Sequence, residues 1–257
     1  MRRRVLAALL ALAVPVGSAT PSPAPTVAAA ADLRFALAEL ADRFKAATGR
    51  EVRIAFGSSG NFAQQIENGA PFELFLSADE SYVERLAAKR LARDAGVLYA
   101  IGRIVLFTPL GSPLRSDPSL ADLRASIGDG RLKRFAIANP EHAPYGRAAR
   151  EALEGAGLWT SIRPLLVLGE NASQATQFAT SGSAQGGIVP LSLARAPEVA
   201  RLGTAVLLPE TTHRPLRQRM ALMRSAGPVA VEFYAWLQTK PARDVFARHG
   251  FALPGEG

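Results

Sequence analysis

Between residues 26 and 88, short apolar runs and helix-patterned stretches alternate three times, and that rhythm leaves few folds open. Thr26 to Ala31 reads as a strand of small residues. Asp32 follows as a helix N-cap, with Leu33, Leu37, Leu40, Ala41 and Phe44 at helical spacing and Gly49 as the stop. Residues 51–56 (EVRIAF) alternate like a strand, Gly57-Ser58-Ser59-Gly60 is a turn, and Asn61 to Glu67 has helical spacing. Residues 73–77 (ELFLS) form the next strand and Asp79 to Ala88 the next helix. The rhythm predicts a parallel sheet with helices on both faces, an α/β architecture whose ligands bind in loops beyond the strand C-termini.

The middle of the chain repeats the pattern. Residues 135–138 (FAIA) and 165–168 read as strands, each followed by a loop and a helix, and residues 187–190 (GIVP) as another strand. This predicts a second α/β lobe. Pro228 and Pro241 sit at the first turns of two C-terminal helices, and Gly250 ends the second. A chain of 257 residues with 48% hydrophobic and 20% charged residues is large enough for two such lobes.

The N-terminus reads as an address. Arg2, Arg3 and Arg4 precede the apolar run Val5 to Val16, and Gly17-Ser18-Ala19 supplies small residues for cleavage. The run is short for a bilayer span. Residues 1–25 are therefore expected to be a signal peptide and a Pro-rich leader, with no stable membrane insertion of what remains. Formal net charge is +8, but arginines are scattered and no basic stripe interleaves with aromatics, which argues against nucleic-acid binding. With no cysteine, disulfides, thiolate metal sites and cysteine nucleophiles are excluded.

Two loops carry candidate chemistry. Glycines at 57 and 60 allow close backbone approach, while Ser58 and Ser59 bring hydroxyls to a helix N-terminus, where unpaired N–H groups and the helix dipole favour an anion. Each hydrogen bond to a charged ligand contributes roughly 1.5–3 kcal/mol. Five to seven of them, after desolvation, leave the ~8–12 kcal/mol of a micromolar to nanomolar binder without any lysine or arginine. The second loop, Asn139 to Gly146, is stiffened by two prolines and opens a helix at Tyr145. Read locally, both loops are equally compatible with ordinary turns. Enzyme signatures are scarce: His142, His213 and His249 lack metal-ligand spacing, and no nucleophile elbow or P-loop is present.

The order AAAADL (28–33), FGSSGN (56–61), QIENGAPFELFLSADE (65–80), IANPEHAPYG (137–146), GENASQA (169–175) and FARHGFALP (246–254) resembles the periplasmic molybdate-binding protein family, ModA, over nearly the whole chain. The resemblance implies a two-lobed type II periplasmic-binding-protein fold with the ligand cleft between lobes. Lobe 1 would span 26–107 plus 223–257, and lobe 2 would span 108–222. It further implies a periplasmic monomer that binds a small oxyanion, molybdate or tungstate, without a cofactor or catalysis, and passes it to an ABC transporter permease. Carried over position by position, the oxyanion contacts fall at Ala31 and Asp32, at Ser59 with Ser58 beside it, at Tyr145, and at the backbone N–H of Ala172.

Two departures matter. Many members have serine where this chain has Asp32, and a carboxylate facing a dianion is repelled by several kcal/mol in a dry site. The expected arrangement keeps the Asp32 N–H on the ion and turns its side chain back to cap its own helix. The alternative has Asp32 accept a proton from a protonated, phosphate-like oxyanion. Second, Pro190 stands where some members have a tyrosine, leaving Tyr145 to supply that hydroxyl. The rival readings are a binder of phosphate or sulfate, a non-transport sensor, and a secreted hydrolase. The hydrolase would need a His142–Ser hydrogen bond oriented by a third group.

Overall fold

The computed structural model describes residues 24–255, so the expected signal peptide lies almost wholly outside the described residues. The first sheet is built from β1 (Thr26–Ala30), β2 (Arg53–Gly57), β3 (Leu74–Ser77) and β4 (Val97–Gly102), with helices α1 (Arg34–Thr48), α2 (Ser59–Glu67) and α3 (Glu80–Ala88) in the crossovers. The second contains β5 (Ile104–Pro109), β6 (Phe135–Ala138), β7 (Leu166–Gly169), β8 (Gly187–Pro190) and β9 (Gly203–Leu207). Its helices are α4 (Ala121–Gly128), α5 (Pro144–Gly155), α6 (Trp159–Ile162), α7 (Ala172–Thr180), α8 (Leu191–Ala194) and α9 (Pro197–Ala200). The chain then returns through β10 (Leu216–Leu222) to the first sheet and ends in α10 (Pro228–Trp236) and α11 (Lys240–Arg248).

The two sheets share one plan. Strand order is β2-β1-β3-β10-β4 in the first and β7-β6-β8-β5-β9 in the second. In each, the first three strands are parallel and the fourth runs antiparallel to both neighbours. The expected two-lobed α/β fold is thus the observed one. Central strands β1, β3, β6 and β8 are almost wholly buried, which explains why they read as unbroken apolar runs rather than alternating ones.

The boundaries expected at 107/108 and 222/223 do not match the change of sheet. Only Arg103 separates β4 in the first sheet from β5 in the second, and β10, expected in the second lobe, pairs with β3 and β4. The short connection between β4 and β5 makes the crossing there, four residues earlier than expected. Between β10 and β4 the pairing steps from Gln218↔Ala100 to Arg219↔Leu98, skipping Tyr99. Such a bulge re-aims side chains, and here it brings Tyr99 and Gln218 together under the cleft.

Asp32 does not cap a helix. It lies inside a single 3-10 turn, Ala31–Leu33, and α1 starts only at Arg34 without a side-chain cap bond. Gln218 takes the carboxylate instead.

Candidate oxyanion site

All six predicted positions meet in one small cavity at the C-terminal ends of the parallel strands of both sheets. Its lining includes Ala31, Asp32, Ser58, Ser59, Tyr145 and Ala172, with Ala30, Gly57, Ala78, Ala143 and Pro144 filling in between. The cavity encloses about 190 Å³, mouth included. Even with the open mouth counted, that leaves room for a small ligand only. A larger groove opens on the surface beside α1, α7 and α9, between Arg34 and Glu198. Volume alone would favour it, but the small cavity is where helix N-termini converge.

Three helices start at the cavity. Ser59 is the first residue of α2, Ala172 the first of α7, and Tyr145 the second of α5, behind Pro144. First-turn N–H groups have no partner within their own helix, and each helix presents about half a positive charge there. Ala143 precedes α5 and has no side chain able to cap it. Ser58 and Asn171 cap their helices further in, accepting from Asn61 N–H at 3.4 Å and Gln174 N–H at 3.1 Å, and so leave the first positions open. The Ser59 hydroxyl accepts from Ala78 N–H at 3.0 Å, which fixes its oxygen and keeps its proton available. No lysine or arginine lines the cavity.

The lobes meet across this cavity. Gly60 N–H donates to the His142 carbonyl at 3.0 Å, and Asn61 Nδ2 donates to Glu170 Oε1 at 2.6 Å. Ser173 and Ser192 donate from the second lobe to the carbonyls of Ala31 and Asp32 at 2.9 and 2.8 Å. Arg147 on α5 is ion-paired with Asp79 at the start of α3. His142 is not a bystander: its Nδ1 lies 3.0 Å from Ser58 Oγ.

Beneath the cavity lies a buried polar chain. Tyr99 donates to Gln218 Oε1 at 2.7 Å, and Gln218 Nε2 donates to Asp32 Oδ2 at 2.7 Å and to the Tyr145 hydroxyl at 3.1 Å. The Tyr145 hydroxyl is thereby drawn toward Gln218 and Asp32. Asp32 is 1% exposed, and its second oxygen, Oδ1, is buried without a hydrogen-bond partner. Burial raises the Asp32 carboxyl to about 6, against the opposing pull of Gln218, Tyr145 and its own backbone N–H. Desolvation, aided by the Asp32 charge, also pushes the Tyr99 and Tyr145 hydroxyls well above the usual tyrosine range, so both stay neutral. A unit charge 4 Å from another is worth about 4 kcal/mol in partly screened surroundings, so a dianion beside an ionised Asp32 faces roughly 8 kcal/mol.

Residues 25–252 match the family model described as bacterial extracellular solute-binding protein. This chain belongs to that family. By that description its place of work is outside the cytoplasm. The chain is 33% identical over 246 residues to the molybdate-binding protein ModA of Rhodobacter capsulatus, covering 94% of each. It is 33% identical over 232 residues to ModA of Azotobacter vinelandii, covering 88% of this chain and 89% of that one. The solved periplasmic molybdate-binding protein of Azotobacter vinelandii superposes with a TM-score of 0.80 at 29% identity, covering 90% of this chain and 99% of that one. A sulfate-binding protein of Mycobacterium tuberculosis superposes at 0.74 with 17% identity, a likeness of fold alone. Among the described residues, no helix is long and apolar enough to cross a membrane.

Sequence reading missed Gln218, Ser173 and Ser192. Period-two spacing puts Gln218 on the face of Leu216, Met220 and Leu222, but nothing in the segment names its partners, which depend on the skipped residue in a distant strand.

Proposed function

We propose that this protein is the molybdate-binding component of an ABC importer, exported to the periplasm, where it works as a monomer that delivers its ion to a membrane permease. The observation that carries this reading is a 190 Å³ cavity where three helix N-termini and the Ser59 hydroxyl converge and no cation intrudes. Such a site binds an anion through its oxygens, by hydrogen bonds to dipoles, and involves no bond from protein to metal. Ser58 and Ser59, the N–H groups of Ala31, Asp32, Tyr145 and Ala172, and the Asp32 side chain are the proposed contacts. The binder relatives supply the ion. Tungstate shares the charge, shape and nearly the size of molybdate and is bound alongside it. Sulfate is smaller and would be held at too great a distance. The ion is cargo, and the site calls for no resident cofactor.

The bodies that close on the ion are taken as residues 24–102 plus 216–255 and residues 104–207, following sheet membership. One observation favours the hydrolase reading. Ser58 Oγ lies 3.0 Å from His142 Nδ1, and Glu170 lies 3.6 Å from Nε2. Yet Ser58 is a helix cap, the Glu170 side chain is 61% exposed, and the cavity is too small for an ester or peptide. We read the array as part of the contact between lobes.

Calorimetric titration with molybdate, tungstate, sulfate and phosphate at fixed ionic strength tests the reading. Molybdate and tungstate are expected to bind at ~8–12 kcal/mol, with sulfate and phosphate silent. Phosphate or sulfate heat with molybdate silent would overturn it.

A further inference from the structure

Asp32 places an acid where the cavity otherwise offers only dipoles and hydroxyls. Gln218 donates to its Oδ2 and the Tyr145 hydroxyl and the Asp32 N–H also act on the carboxylate, but Oδ1 is buried without a well-formed hydrogen bond, in a residue that lines the ion's cavity. A buried, unpartnered carboxylate oxygen is unfavourable while ionised, and a dianion nearby makes it more so. As a neutral acid, the same oxygen becomes a donor.

We propose that Asp32 enters the closed site as a carboxylic acid and donates a hydrogen bond from Oδ1 to an oxygen of a fully deprotonated tetrahedral dianion, so that each ion captured brings one proton onto the protein. This inference rests on the oxyanion reading above. The new O–H bond at Oδ1 takes its proton from solvent, and no bond within the ion breaks. Asp32 is then a specificity residue. It favours ions whose oxygens all accept, such as molybdate and tungstate. An ion that carries its own proton, such as hydrogen phosphate, would meet the ionised carboxylate and bring no extra proton.

The surroundings point to Asp32 as the group that changes. Its turn packs against α1, α7, α8 and β2. No ionisable residue occurs on α7 or α8. Arg34 of α1 faces the outer groove, and Arg53 of β2 is exposed at the far end of its strand. Tyr99 and Tyr145 face the carboxyl from β4 and α5 and stay neutral. Two further titratable positions stand beside the cavity: Asp79, next to lining residue Ala78 and ion-paired with Arg147, and His142, against Ser58 and near Glu170, which needs a control. The free carboxyl, raised to about 6 by burial, is mostly ionised at pH 7.5, and so is able to take up a proton when the ion arrives.

The test is calorimetry of the whole exported protein with molybdate at pH 7.5 in buffers of different ionisation heat, with a second series from pH 7 to 9. About one proton is expected to enter per ion, and Kd is expected to rise about tenfold per pH unit across that range. Asp32→Asn and Asp32→Ser should bind with no proton uptake and with Kd flat within about twofold, while His142→Gln should keep the uptake. Tight molybdate binding by the unmutated protein without proton uptake overturns this proposal and leaves the oxyanion reading standing, whether or not the variants fold. Proton uptake that persists in both Asp32 variants overturns it too. Absence of molybdate binding in the unmutated protein overturns the oxyanion reading, and this inference with it.

Discussion

Ala172→Pro is expected to weaken molybdate capture at least about a hundredfold while leaving the ion-free melting temperature within about 2 °C of the parent. Ala172 is the first residue of α7, where proline is welcome, because the first-turn N–H has no helical partner to lose. The preceding residue, Asn171, is already extended, as a residue before proline must be. The substitution therefore removes one of the donors proposed to face the ion and puts a ring carbon in its place. Loss of a single bond to a charged ligand accounts for roughly 1.5–3 kcal/mol, and the ring's intrusion adds to it, so a loss of at least about a hundredfold is expected. Titration of the variant beside its melting curve checks this. Unchanged affinity would remove the α7 N-terminus from the site.

Gly60→Ala is expected to weaken capture by roughly a hundredfold through a different route, by opposing closure. A methyl at Gly60 would lie 2.6 Å from the His142 carbonyl oxygen and 3.0 Å from its Cα, both on the opposite lobe. Both atoms belong to backbone, so no side-chain rotation relieves the clash. The three atoms nearest that methyl all belong to His142, so the penalty falls on the close approach of the two lobes. Small-angle scattering with and without molybdate should show the parent compacting and the variant failing to do so. Equal affinity and equal compaction would mean that the Gly60–His142 approach is not part of the bound state.

Much of this site was legible before the structure because its donors are local. Gly57 to Gly60 and Asn139 to Gly146 each announce a strand end, a turn and a helix start within a few residues, and the structure forms helices there. Parallel strands such as Phe135–Ala138 stand out as short apolar runs because both faces are buried. What failed to show was information carried between distant segments. The apolar stretch 97–109 breaks at Gly102-Arg103, but nothing in it says that its halves join different sheets. In Leu216–Leu222 the glutamine shares the inward face of Leu216, Met220 and Leu222, but its partner Tyr99 is set by a register step in β4. Asp32 misled for the same reason. An acid ahead of a helical pattern is a sound cap signal by itself, and only Gln218, 186 positions away, redirects the carboxylate.

The hydrogen-bonded chain from Tyr99 through Gln218 to Asp32 and Tyr145 also links the crossing strands to the ion site. β4 and β10 flank the crossing between the two sheets, so the proposed protonation of Asp32 would occur one hydrogen bond away from the second of those strands. The interlobe bonds of Ser173 and Ser192 to the backbone of Ala31 and Asp32 fix that turn from the other side.

The most direct test of the account is the position of a bound ion in crystals grown with tungstate, located from the anomalous signal of tungsten. The account predicts one strong peak in the cavity between the lobes, its oxygens within hydrogen-bond reach of the Ser59 hydroxyl and the N–H groups of Tyr145 and Ala172. A peak in the outer groove near Arg34 and Glu198, or an empty cavity at saturating tungstate, would contradict it.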